Sequence, residues 1–242
     1  MSETRRKYYI PLESNPEVFT ELIHTLGLSP ELEFTDVLSL DDPDLINMMP
    51  RPVLALILAF PAIGQHYRKS LEEQNRDMNI YTGSGEDEDV IWYKQTIGNA
   101  CGLYAILHSI SNGPARDFIT PDSPFARVLA TITPLAPEER ALALEASAEV
   151  EEAHLHAGKS GVTTAPDPED DVDHHYMAFV KSHRNGRIYH LDGMRRGPVD
   201  TGVTLAQGED VFNEGGRKLV EELIALQDDV GFSLMALVKT GD

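Results

Sequence analysis

The chain has 242 residues, 41% hydrophobic and 25% charged, and its 20 Lys and Arg against 40 Asp and Glu give a formal charge of -20. That length suits one domain with a sizeable core, since α/β folds often take about 250 residues as a unit. The acid excess disfavours sequence-independent binding to nucleic acid or an anionic membrane surface and favours a basic partner, although acidity also serves plain solubility.

Cys101 is the only cysteine. This excludes an internal disulfide and a zinc site built on several thiolates, and fits a reducing compartment, cytoplasmic or nuclear. The segment from Met1 onward lacks the apolar run of a secretory signal, so no export is expected. Ser14-Asn15-Pro16-Glu17 reads as a helix start, followed by Phe19, Leu22, Ile23 and Leu26 at helical spacing and by Gly27 as a stop. Phe34 to Leu38 reads as a short strand and Asp42 to Met48 as a short helix. Val53 to Phe60, held between prolines, reads as a buried strand, far short of the roughly 20 residues that cross a bilayer. His66 to Arg76 carries a weaker helical pattern, and Gly83 to Asp89 is an acidic loop.

Gln95-Thr96-Ile97-Gly98-Asn99-Ala100-Cys101-Gly102 then leads into Leu103, Ile106, Leu107 and Ile110, a buried helix that Gly113-Pro114 ends. Pro137 to about Glu152 reads as one helix. His154 to Asp173, with its glycines, prolines and acids, reads as a long mobile loop of the kind that is usually functional or disordered. Tyr176 to Lys181 and Arg187 to Leu191 read as a hairpin around Asn185-Gly186. Phe212 to Leu226 ends as a helix, and Phe232 to Val238 is a last strand.

A lone cysteine is ordinarily a small buried hydrophobe. Cys101, however, opens a buried helix, where unpaired N–H groups and the dipole favour a thiolate. Its own N–H is aimed where a carbonyl oxygen collects charge during attack, and Gly98 and Gly102 allow close backbone approach. Gln95 is either a second such donor or an ordinary polar loop residue. A nucleophilic thiol needs a base, and the base an orienting carboxylate. On strand alternation His175 shares a face with Met177 and Phe179, whereas His174 points elsewhere. If Ser182 pairs with Arg187, Asp192 falls opposite Met177 and about 7 Å diagonally from His175. A tighter turn moves it two residues off, so mechanism favours the four-residue loop from His183 to Gly186. His190 reads as a surface residue.

Three segments, Gln95 to Gly102, His175-Tyr176-Met177-Ala178-Phe179-Val180 and Tyr189-His190-Leu191-Asp192-Gly193, resemble the ubiquitin carboxyl-terminal hydrolase family of cysteine peptidases. Pro11 to Glu17, Pro50 to Ile57 and Phe232 to Val238 also resemble that family's opening, first core strand and closing strand. The resemblance implies a papain-like α/β fold, an antiparallel-rich central sheet flanked by helices with the nucleophile starting a buried central helix, as one catalytic domain over 1–242. It implies Cys101 as nucleophile, His175 as base and then acid, Asp192 as orienter and Gln95 as oxyanion donor. Pro11, Leu12, Asn99, Asp173 and His174 are the expected substrate contacts, with His174 standing where an apolar residue is usual.

The stretch 154–173 occupies the place of the family's crossover loop. The chain resembles the short members without a partner-binding tail. The expected reaction is hydrolysis at ubiquitin's C-terminal glycine through a thioester, by a monomer needing no metal or cofactor. The substrate's basic tail would complement the acidic surface. Transfer rather than hydrolysis, and ubiquitin binding with little turnover, are the competing readings.

Overall fold

The computed structural model describes residues 7–61, 64–163, 167, 174–225 and 231–241, with the backbone alone at 64–68. In chain order the elements are α1 (Pro16–Leu26), β1 (Leu32–Asp36), α2 (Pro43–Met48), β2 (Val53–Pro61), α3 (Gly64–Asp77), α4 (Cys101–Ile110), a 3-10 turn (Gly113–Phe118), α5 (Pro124–Ile132), α6 (Pro137–Ala146), α7 (Ala148–Ser160), β3 (His174–Lys181), β4 (Arg187–Leu191), β5 (Val199–Thr204), α8 (Glu214–Ala225) and β6 (Ser233–Lys239).

The strands form one six-stranded sheet, ordered β1-β6-β2-β3-β4-β5, and every neighbouring pair is antiparallel. β2 is buried along its whole length, as its unbroken apolar run requires for a central strand covered on both faces. Ala55, Ile57 and Ala59 join the core built on α1 and α4, while Leu56, Leu58 and Phe60 join a second core with Phe212 and Val220. α1 begins as its sequence dictates: Asn15 Oδ1 accepts from Glu17 N at 2.9 Å, Pro16 takes the first helical position, and Gly27 closes it in the left-handed conformation.

The structure corrects three sequence expectations. The helix read from Pro137 to Glu152 is two, because Ser147 leaves the helical path and caps α7 through Val150 N. α7 then runs to Ser160, so residues 154–160 are helix rather than the start of the loop. Val150, Ala153, His154 and Ala157 make a buried stripe whose small members mask its periodicity. The loop thus starts at Gly161, and apart from 167 its residues 164–173, Asp173 included, lie outside the described residues. α5 and β5 had no expectation attached to them. His190 is buried rather than on the surface, because β5 pairs beside it at Val199 and its ring stacks on Phe179 at 5.2 Å.

The irregular segment from Glu88 to Tyr93 is buried between α4 and α6 except at Asp89, and its polar groups are met largely by side chains. Asn112 Oδ1 accepts from Ile91 N at 2.7 Å and its Nδ2 donates to Ile91 O, while His108 Nε2 accepts from Tyr93 N at 3.0 Å. Arg140, fully buried, donates to both Glu88 carboxylate oxygens, to Trp92 O and to the carbonyls of Ile132, Thr133 and Leu135. Tyr81 OH adds a third donor to Glu88. This network fixes the approach to Gln95 and the α4 start.

Removing one member of a buried, fully bonded ion pair strands the other charge. Arg140→Met should therefore lower the unfolding free energy by about 3–5 kcal/mol in denaturant titration. The double change with Glu88→Leu should recover most of that loss. A single-variant loss under about 1 kcal/mol would contradict this role.

Candidate active site

The N-terminal segment and the loop before α4 are laid side by side. Tyr8 bridges Gly98 in parallel, with Tyr9 N donating to Gly98 O and Gly98 N to Lys7 O. A Cβ on Gly98 would come within 2.3 Å of the Tyr8 ring, so only glycine permits this approach. Asn99 follows at φ 55, a left-handed backbone that asparagine tolerates better than most residues. Ala100 caps α4 without a side-chain hydrogen bond, and Cys101 is its first residue, 8% exposed. The opening N–H groups of the helix therefore meet no capping side chain at the thiol.

His175 lies at the start of β3. The hairpin has the register that places Asp192 opposite Met177: Ala178 faces Leu191, Phe179 faces His190, and Ser182 N donates to Arg187 O at 2.8 Å. His175 Nε2 meets Asp192 Oδ1 at 2.9 Å, with both side chains buried. Since Asp192 is ionised, Nε2 carries the proton of this contact.

Burial alone would push the His175 imidazole down, yet the charge and hydrogen bond of Asp192, with those of Cys101, outweigh it and raise the imidazole well above its ordinary value. The opposite partner behaves reciprocally. Burial works against the Asp192 carboxylate, but His175 and the Met194 N–H, 2.9 Å from Oδ1, hold it far below the usual range. Trp92 Nε1 donates to Asp192 O at 3.0 Å, tying the Glu88 to Tyr93 segment to the turn behind the carboxylate. Burial pushes His108 and His190 down to about 3, so both stay neutral beside the pair.

Gln95 N donates to Gly193 O at 2.8 Å, and a Cβ on Gly193 would sit 2.8 Å from the Gln95 Cβ. The glycine after Asp192 thereby seats Gln95 against the hairpin end. Gln95 Nε2 donates one hydrogen to Ile97 O at 3.2 Å, which leaves the second for another acceptor.

Pro11, Leu12, Asn99 and His174, all expected as substrate contacts, line one cavity of about 370 Å³ together with Cys101, Tyr176 and the end of α7. His174 O lies 4.0 Å from Cys101 Sγ, and Tyr176 OH donates to Leu12 O at 3.1 Å. Glu13 closes one side of this cavity. Its Oε2 accepts from Thr163 N at 2.9 Å and from Thr163 Oγ1 at 2.5 Å, which holds the carboxyl below its ordinary value. His154 Nε2 donates to Ile10 O at 2.7 Å, its ring pushed down to about 4 by burial, and pins α7 to the same N-terminal segment.

No local pattern marks Trp92, Tyr176, Glu13 or His154 as site supports, because each contact joins residues far apart in the chain. Among the described residues no group of acids, histidines and the cysteine is arranged to hold a metal ion, and no helix is long and apolar enough to cross a membrane.

Residues 9–225 match the family described as ubiquitin carboxyl-terminal hydrolase, family 1. The chain is 37% identical over 223 residues to a ubiquitin carboxyl-terminal hydrolase of Aplysia californica, covering 92% of this chain and 97% of that one. It is 35% identical over 238 residues to one from Drosophila melanogaster, covering 95% and 96%. In fold it is similar to the Trichinella spiralis UCH37 catalytic domain bound to ubiquitin vinyl methyl ester, with a TM-score of 0.71 at 23% identity and 96% of each chain covered. With the family match spanning most of the fold, Cys101 and the hairpin included, the chain belongs to the ubiquitin carboxyl-terminal hydrolases of family 1 and is a cysteine-type deubiquitinating hydrolase.

Proposed function

We propose that Cys101 attacks the carbonyl carbon of ubiquitin's C-terminal glycine, with His175, Asp192 and Gln95 as its partners. The observation that carries this is the buried 2.9 Å contact of His175 Nε2 with Asp192, on an imidazole also coupled to the Cys101 thiol. The protonated imidazole faces a thiolate, and Sγ adds to the carbonyl. The N–H of Cys101 and the second hydrogen of Gln95 Nε2 receive the oxyanion. On collapse the carbon–nitrogen bond breaks and His175 gives its Nδ1 proton to the departing amine, leaving a thioester. Neutral His175 then takes a proton from water, whose hydroxyl displaces the thiolate and frees the glycine carboxylate.

The cavity bounded by Pro11, Leu12, Asn99 and His174 is suited to the extended end of ubiquitin, and the acidic chain to its basic tail. The segment after Gly161 acts as a size filter on the leaving group, favouring small adducts and short peptides over folded ones. Glu13 holds Thr163, the described residue just before 164, at the lining of the cavity. Each chain carries a whole set of site residues, consistent with a monomer, and a nucleophilic thiol suits a reducing cytoplasmic or nuclear setting.

An electrophilic ubiquitin C-terminal probe should add once per chain, and Cys101→Ala should abolish the addition while leaving ubiquitin binding largely intact. Labelling that survives would refute the nucleophile. On a fluorogenic ubiquitin amide, His175→Ala should lose activity by orders of magnitude and His174→Ala by about tenfold or less. Equal losses would place the base wrongly.

Asp192→Asn should lower neutral-pH kcat/KM by roughly a hundredfold or more. It should also move the alkaline limb to lower pH, because the charge that keeps His175 protonated is gone. A limb that stays in place would exclude Asp192 as the orienter.

Gly/Ser residues inserted near Thr164 should cost little stability. They should raise the ratio of di-ubiquitin to small-adduct cleavage, and an unchanged ratio in a folded, active variant would mean that substrate size is limited elsewhere.

A further inference from the structure

The turn after Asp192 carries a charge that this scheme does not use. Arg195 N donates to Asp192 O at 3.1 Å, and Arg195 Nε lies 3.9 Å from Asp192 Oδ2. The Arg195 side chain is 12% exposed, and its Nε is buried without a hydrogen-bond partner. The outer end of the guanidinium is held instead by α3, where Nη2 donates to Gln74 Oε1 at 2.7 Å. The next residue of α3 brackets the same turn: Asn75 Nδ2 donates to Met194 O and Asn75 Oδ1 accepts from Arg196 N, both at 3.1 Å. The cation is thus fixed beside the carboxylate by a separate element, short of direct bonding to it.

At this depth a cation acts on Asp192 with much less screening than it would in water. We propose that Arg195 is a positioning residue for the hydrolysis, sharing the Asp192 carboxylate with His175 and so limiting how firmly His175 keeps its proton. This rests on the assignment of Cys101, His175 and Asp192 made above. The limit matters because the same imidazole must release a proton to the leaving amine and then take one from water. An imidazolium bound too tightly does both poorly.

The other ionisable groups facing the pair do not supply this effect. His190 and His108 are neutral through burial, and burial pushes the Tyr176 phenol up, so it stays uncharged. Arg195 is the fixed cation beside the Asp192 carboxylate among the described residues.

The test is the pH profile of kcat/KM on a fluorogenic ubiquitin amide, paired with the pH dependence of iodoacetamide alkylation at Cys101, the single thiol. Both are run on wild type, Arg195→Met, Arg195→Lys and Gln74→Glu, with folding followed by thermal melts. Arg195→Met should move both limbs to higher pH, the alkaline one by about half to one unit, and lower kcat about three- to tenfold with KM within about twofold. Arg195→Lys should keep the wild-type limbs.

Gln74→Glu places a carboxylate on the outer end of the guanidinium and should shift the limbs the same way by less. Because Gln74 is exposed, this variant decides the matter if Arg195→Met does not fold. Limbs that coincide with wild type in the charge-removing variant, or Arg195→Lys shifting as far as Arg195→Met, would overturn the proposal. Cys101-independent turnover in wild type would overturn the underlying site assignment instead.

Discussion

The pairing of β3 with β4 is the constraint on which the site depends. One register brings Asp192 within a diagonal of His175, and a shift by two residues would carry the carboxylate past Met177 to Phe179. The four-residue turn sets that register through Ser182, whose N–H donates to Arg187 O and whose hydroxyl accepts from Arg184 N and Asn185 N. On the other side, β2 pairs with β3 up to His174 and positions Phe60, which meets the His175 ring edge-on at 5.8 Å. The imidazole is thereby held from the strand, the turn and the core beneath it.

A buried carboxylate is costly unless its charge is answered, and here the answers come from several parts of the chain. His175 and the Met194 N–H meet one oxygen, Arg195 approaches the other, and Trp92 fixes the backbone carbonyl of the same residue. Trp92 is itself held by Arg140, so the buried Arg140–Glu88 ion pair and the His175–Asp192 pair share a structural segment. The N-terminal residues serve the same end from the opposite side. Gly98, Leu12 and Glu13 join the first described residues to α4, β3 and the start of the segment after α7.

Where a local pattern carried the physics, the sequence was readable. The capped start of α1, the apolar run of β2, the opening of α4 at Cys101 and the turn that sets Asp192 against His175 all stand in the structure. The split at Ser147 and the reach of α7 to Ser160 were not readable, because alanine and histidine on the buried stripe blur the apolar period. β5 alternates half-buried and exposed residues without a strong apolar face, so the sequence does not announce the strand that covers His190. Arg140 appears in sequence as an ordinary polar helical residue. Its six hydrogen bonds are donated to carbonyls and a carboxylate that only the fold assembles.

On this assignment of the site, His175 is an imidazolium at neutral pH, bonded through Nε2 to an ionised Asp192. The most direct measurement is nitrogen-15 NMR of histidine-labelled protein, with the His175 signal assigned by its loss in His175→Gln and followed across pH. His175 should show two protonated ring nitrogens at pH 7, with deprotonation only well into the alkaline range. A His175 signal that titrates near the ordinary histidine value of about 6.5, and is neutral at pH 7, would contradict it.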